Sequence, residues 1–381
     1  MQSLAAYSFE ATVVDPVGRL REIDLLLDNW LTSKGASDPR ESEGSFESRS
    51  GDGNGQFTRR VIEAAAGATR EVELVETAHT GAKFTTTVQL AQTSNVVSVF
   101  VSLSAIPGAS IVAPIKLYPR CPWIVRTLIE GFTDWRFAGQ ELPVGRPFDA
   151  TNDEGITVLC SALRASTRRL PIVVVSADQD EQVWADLAAK AAEQLIGLAD
   201  VAVVNAESSW LLTDELGPQD SCYLGAVRLY WPGLRVDGSF DGITWLASRL
   251  ASFGVADAGR NKFLSILRRT VMSTAALTMV QSRDFRVIQG AATKERLQAL
   301  ASQERDKELD SIIEENARLS SDLEQAKQTI ASLQWKVSAS MYAQRSGAAA
   351  NDDDESVAAE AGAEHIPPQP GDVRIRPVKS S

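Results

Sequence analysis

LDSIIEENARLSSDLEQAKQTIASLQWKV, residues 309–337, carries apolar side chains alternately three and four positions apart. With Leu309, Asn316, Leu323, Ile330 and Val337 at a, the d positions fall on Ile312, Leu319, Ala326 and Leu333. That spacing is the signature of a coiled coil. A seam two residues wide has no mate within its own helix, so it predicts a partner helix over about 43 Å at 1.5 Å rise per residue. Asn316 is the lone polar a residue, with β-branched residues at two later a positions and Leu at two d positions. Paired asparagines hydrogen-bond across a parallel two-stranded seam, whereas a slipped register buries them unsatisfied. A parallel dimer of this chain is expected; the bland alternative is a long helix packed antiparallel on its own domain.

Upstream of the heptads, helical patterns are read at 243–253 and 261–280, where Trp245, Leu246, Leu250, Phe263, Leu264 and Leu267 supply the apolar faces. Before them, 172–175, 201–204 and 226–231 are short continuous apolar runs, separated by helical patterns over 183–195 and 210–216 that Ser208 can cap. Strands apolar at every position, alternating with helices, predict a parallel sheet covered on both faces. The third run is read as ending in a Pro232-Gly233 turn. This α/β domain is placed at 148–290 and the long helix with its coiled coil at 292–344.

Nearer the start, Tyr7, Phe9, Ala11 and Val13 alternate with polar residues, as in a strand with one buried face. Asp15 and Pro16 open a helix that places Leu20, Ile23, Leu27 and Trp30 on one side. Residues 33–55 turn to Ser, Gly, Asp, Glu and Arg, too little apolar surface to offset ordering entropy, which predicts a flexible loop. It is not a phosphate loop, since no apolar strand precedes it and no Lys-Ser or Lys-Thr pair follows. Val72 with Leu74, then Phe84 to Leu90, then Val97 to Leu103 alternate again, separated by turns at 80–83 and 93–95. They predict an antiparallel meander. Pro122 begins a helix through Trp123, Val125, Leu128 and Ile129 that stops at Gly131. An α+β domain is therefore expected at 1–141, with the boundary in the proline-containing segment 142–147. Residues 345–381 turn to Ala, Gly, Asp and Pro, including Asp352, Asp353 and Asp354, and predict a disordered acidic tail.

The whole chain has 381 residues and a formal net charge of −12, with no basic run. Non-specific grip on nucleic acid needs clustered Lys and Arg to release counterions, so direct, charge-driven nucleic-acid binding is not expected. Arg168 with Arg169, and Arg268 with Arg269, read as solvated helix ends. Cys121, Cys160 and Cys222 lie far apart without a CxxC pair and read as small buried hydrophobes of a reducing compartment. Neither a secretory signal nor an apolar stretch of about 20 residues is found, so a cytoplasmic protein without membrane attachment is expected. The excess of arginine over lysine points by association to a GC-rich bacterial genome.

Only two histidines occur, His79 and His365, so a Ser-His-Asp triad or histidine zinc site within the α/β layer is excluded unless His79 crosses domains. The remaining enzyme candidates are carboxylates: Asp178, Asp180 and Glu181 follow the first apolar run, and Glu207 follows the second. Ligands of open parallel sheets bind outside the carboxyl ends of strands, where Asp178, Asp180 and Glu207 could hold Mg2+ or Mn2+ for phosphoesterase or nuclease chemistry. The bland alternative is helix capping, since Asp and Glu complement the first turn of a helix. No dinucleotide fingerprint follows any of the runs, and no organic cofactor is expected. Tyr230 with Trp231 is either a stacking surface or part of a core strand. The leading expectation is a cytoplasmic bacterial assembly or adaptor protein that dimerises through its coiled coil and recruits a protein partner; the alternative is the metal-dependent enzyme.

Overall fold

The computed structural model describes residues 2–48, 53–108, 119–177, 183–300, 307 and 309–330. Strand β1 (Gln2–Thr12) buries Tyr7, Phe9 and Ala11, as the alternation predicts. Helix α1 (Pro16–Lys34) starts where the Asp15 carboxylate accepts a hydrogen bond from the Gly18 amide, with proline fixing the first turn. Its Leu20, Ile23, Leu27 and Trp30 are at most 3% exposed. The helix stops at Gly35, whose φ of 131° lets its amide reach the Leu31 and Thr32 carbonyls. A Cβ there would lie 2.7 Å from the Glu47 carbonyl oxygen.

Strands β2 (Glu43–Glu47), β3 (Gly53–Ala64), β4 (Gly67–Ala78), β5 (Lys83–Gln92) and β6 (Val96–Ile106) then run antiparallel, each paired with the next. The expected turns at 80–83 and 93–95 fall between β4 and β5 and between β5 and β6. Helix α2 (Trp123–Gly131) follows Pro122, and the short strands β7 (Arg136–Phe137) and β8 (Gln140–Glu141) complete the sheet in the order β2-β3-β4-β5-β6-β1-β7-β8. Of residues 33–55, expected to be a flexible loop, 33–48 instead finish α1 and form β2, and 53–55 open β3, while 49–52 lie outside the described residues. Pairing from Glu43↔Thr58 to Glu47↔Asn54 holds the two strands together, and the Phe46 and Phe57 rings meet at 6.5 Å. Backbone pairing and two aromatic rings order a segment whose composition is that of a loop.

The second sheet comprises β9 (Phe148–Asp149), β10 (Ile172–Ser176), β11 (Asp200–Val204), β12 (Val227–Leu234) and β13 (Phe240–Trp245), in the order β13-β12-β10-β11-β9. Helix α3 (Asp153–Arg164) precedes β10, α4 (Leu187–Gln194) joins β10 to β11, and α5 (Ala206–Leu216) follows β11. β9, β10 and β11 are parallel, but β12 is antiparallel to β10 and β13 to β12, so the sheet is mixed and not parallel as expected. The connection after α5 returns to the carboxyl end of β10, where Leu224 (φ 53°) and Gly225 (φ 70°) turn the chain into β12. A strand buried on both faces has the same apolar pattern in either direction, which is why its sense was not readable. Pro232 and Gly233 lie within β12, where the pairing register shifts between Tyr230 and Leu234, and the reversal comes later, with the Arg235 amide on the Ser239 carbonyl. The helix expected over 243–253 is strand through Trp245, and α6 (Ala247–Ala251) begins only after it.

Alternate residues of β10 enter different cores: Val173 and Val175 the larger one, Ile172 and Val174 a second one beneath α3 and α5. The larger core continues through α4 and α1 into the first sheet, so Met1–Ala299 forms one compact unit. The proline-containing stretch 142–147 marks the change from one sheet to the other, and Leu142 is itself buried in the shared core. Helix α7 (Asp257–Thr278) packs along β1, whose second edge pairs with β7 only at Glu10↔Arg136. Helix α8 (Arg283–Ala299) crosses the expected start of the long helix at 292 and lies over β3, β4 and β5, with Phe285 and Ile288 buried against Ala91. Span Asp257–Ala299 is long and apolar enough to cross a membrane, yet Phe263, Leu264, Leu267 and Met272 of α7 are at most 1% exposed within the core. Residues Leu300–Ser381 form a separate unit, whose described part is helical over 309–330.

Candidate functional site

At the carboxyl ends of β10 and β11, the start of α5 is closed by a reciprocal cap. The Asn205 side chain accepts from the Ser208 amide at 2.7 Å, while the Ser208 hydroxyl accepts from the Asn205 amide at 2.9 Å. Ser208 thus sits at the third helical position and shares the capping with Asn205. Glu207 is exposed in the first turn, where it complements the helix dipole. Asp178, Asp180 and Glu181 lie outside the described residues. Among the described residues, no group of three or more His, Cys, Asp or Glu side chains is placed to hold a metal ion.

Of the other chemistry-bearing residues, Cys160, Cys222, Tyr230, Arg168 and Arg268 are buried and Cys121 is half-buried. Burial pushes the Cys121 thiol up to about 11 and the Cys222 thiol up to about 12. Tyr230 is buried, its ring edge-on to Phe240 at 5.7 Å and its hydroxyl donating to the Asp220 carbonyl at 2.8 Å, which makes the segment a core strand. Arg168 is not a solvated helix end: it is 4% exposed and donates to the carbonyls of Leu163, Leu170, Tyr230 and Trp231, tying α3 to β12. Arg268 is likewise 7% exposed, whereas Arg169 and Arg269 are exposed. His79 stands in the exposed turn after β4, and His365 lies outside the described residues.

On the helix 309–330, the candidate oligomerisation residues keep the predicted spacing. Leu309, Leu319, Leu323 and Ile330 are 39%, 51%, 57% and 38% exposed, and Asn316 and Ala326 are exposed beside them. Ile312 is half-buried, and Leu333 and Val337 lie outside the described residues. The same side chains that would fill a seam therefore stand in water in the single chain.

A cavity of about 470 Å3 unites residues that sequence reading did not connect. Arg120 comes from the segment just before α2, Arg126 from α2, Lys190 and Glu193 from α4, and Arg260 and Arg268 from α7. Their charges are scattered over some 150 positions of chain, so no local basic run betrays them. Glu193 pairs with Lys190 at 3.1 Å and with Arg126 at 3.3 Å, while Arg260 meets Asp186 at 2.6 Å and Asp257 at 3.2 Å. Comparison with protein families, curated proteins and solved structures returned no match.

Proposed function

We propose that this chain is a cytoplasmic bacterial assembly or adaptor protein, dimerising in parallel through 309–337 and presenting its folded body to a protein partner. The exposed a and d side chains over 309–330 support this reading most directly. A lone helix of that length is marginal in water, and each buried leucine contributes about 1.5–3 kcal/mol, so a mate helix removes the apolar stripe and stabilises the helix together. A second copy suits the stripe because Asn316 would meet its own counterpart at an a layer. Asp322 at g and Lys327 at the following e carry opposite charge, the pairing that crosses a parallel, in-register seam.

Light scattering on the purified chain tests the proposal. Wild type is expected to weigh as a dimer at micromolar concentration, and Leu319→Glu with Leu323→Glu as a monomer that retains the wild-type circular dichroism of its body. A wild-type monomer across that concentration range would refute the assembly reading.

A further inference from the structure

We infer that the cavity between the start of α2, α4 and the first half of α7 binds a small phosphate-bearing molecule with a polar, non-aromatic body. The argument begins with charge. Among the described residues, five cations, Arg120, Arg126, Lys190, Arg260 and Arg268, line the cavity against one carboxylate, Glu193, in a chain whose net charge is −12. Arg126 and Lys190 share Glu193, and Arg260 is held by two carboxylates outside the lining. Among the described residues, Arg120 and Arg268 form no ion pair.

Arg268 carries the point furthest. Arg268 is 7% exposed, its Nη1 donates to the neutral Gln194 Oε1 at 2.6 Å, and its Nε has no hydrogen-bond partner among the described residues. A buried guanidinium left with one neutral acceptor and open donors is costly, and an anion in the cavity would answer both the charge and the donors. Burial, and next the like charge of Arg120, lower the affinity of Arg268 for its proton, so the surrounding protein works against this cation. The helix that supplies Arg126 adds to the field, since α2 starts at Pro122 with no side-chain cap on its first amides.

The ligand class follows from the lining. Guanidinium forks match phosphate oxygens in pairs, and several of them around one space favour an anion of more than one charge. About 470 Å3 lies within the range of small-molecule sites and exceeds what one inorganic phosphate fills. Among the described residues no aromatic side chain lines the space, so they offer no platform for a nucleobase. Asn261, Ser265 and Gln194 offer neutral polar contacts suited to hydroxyl groups. The site is independent of the helical seam.

Isothermal titration of the full chain at fixed ionic strength, with inorganic diphosphate, glucose 6-phosphate, citrate, sulfate and a single-stranded oligonucleotide as probes, tests the assignment. Diphosphate and glucose 6-phosphate are expected to bind, and Arg120→Glu with Lys190→Glu to weaken both at least about tenfold. Both replaced side chains are exposed, so circular dichroism should not change. Arg268→Met is expected to abolish binding, and if it fails to fold, the surface pair decides alone. The inference is overturned if neither phosphate binds up to about 10 mM, a free energy below roughly 3 kcal/mol. It is equally overturned if the surface variants bind as wild type does, if citrate or sulfate match diphosphate, or if only the oligonucleotide binds.

Discussion

Arg59→Met in β3 should destabilise the folded body by about 3 kcal/mol at neutral pH. Arg59 is 9% exposed; its Nη2 donates to Asp24 at 2.9 Å and its Nη1 to Asp28. Methionine keeps most of the apolar stem but leaves Asp24 with Arg70 at 3.3 Å and Asp28 with Arg40 at 2.9 Å, of which Arg40 is 71% exposed. Removing one member of a buried ion pair costs about 3–5 kcal/mol, and the surviving partners place this case at the lower end. The loss should depend on pH. Burial by itself would raise the Asp28 carboxyl, but hydrogen bonds from Arg59 and Arg40 outweigh it and hold the group below the usual carboxylate range. A depressed folded value means that the ionised group adds stability above its unfolded value of about 3.9, and that this stability is lost as pH falls through the folded value. The gap between wild type and variant should therefore be widest near pH 7 and shrink below about pH 4. Urea unfolding followed by tryptophan fluorescence at both pH values measures it. A loss under about 1 kcal/mol at pH 7, or a gap that does not shrink in acid, would refute the account of this network.

Asn316→Ile should tighten association while relaxing it from two strands, so sedimentation should find dimers or larger species; strict dimers of lower stability would contradict the role given to the asparagine. Ile288→Ala should cost about 2–4 kcal/mol by leaving a cavity under α8, seen as faster amide exchange in α8 and β5, and unchanged exchange would place that helix elsewhere. The thiol of Cys222, 1% exposed and raised by burial to about 12, should resist a disulfide reagent at pH 8 until urea exposes it. The rival metal-dependent reading requires the chain to cleave nucleotide or nucleic-acid substrates with Mg2+ or Mn2+ and Asp178→Ala with Asp180→Ala to abolish that activity; wild type that cleaves none of them removes it.

Where one face of an element meets the core, its sequence announced it. Leu20, Ile23, Leu27 and Trp30 mark α1, and the alternations ending in Leu90 and Leu103 mark β5 and β6. The hairpin of β2 and β3 was illegible because an edge ribbon buries little beyond Phe46 and Phe57, leaving polar residues in both alternating sets. The sense of β12 was hidden for the opposite reason, since burial on both faces erases any pattern that direction could impose. The basic cavity was hidden by distance along the chain: Arg120 and Arg268 read as unrelated charges until α7 is laid beside α2 and α4. The heptads are the reverse case, since the proposed seam is written in neighbouring residues.

The placement of β1 has a consequence for synthesis. Residues 2–12 leave the ribosome long before α7, but they lie between β6 and β7 and beneath that helix, which ends at Thr278. At a translation rate of about 5–20 residues per second, the first strand waits roughly 15–50 s for the helix that covers it. During that interval Tyr7 and Phe9 have no complete core to enter, and the strand offers an open edge to any neighbouring nascent chain. Truncations that stop short of α7 should therefore be captured by holdase chaperones and not accumulate as folded fragments.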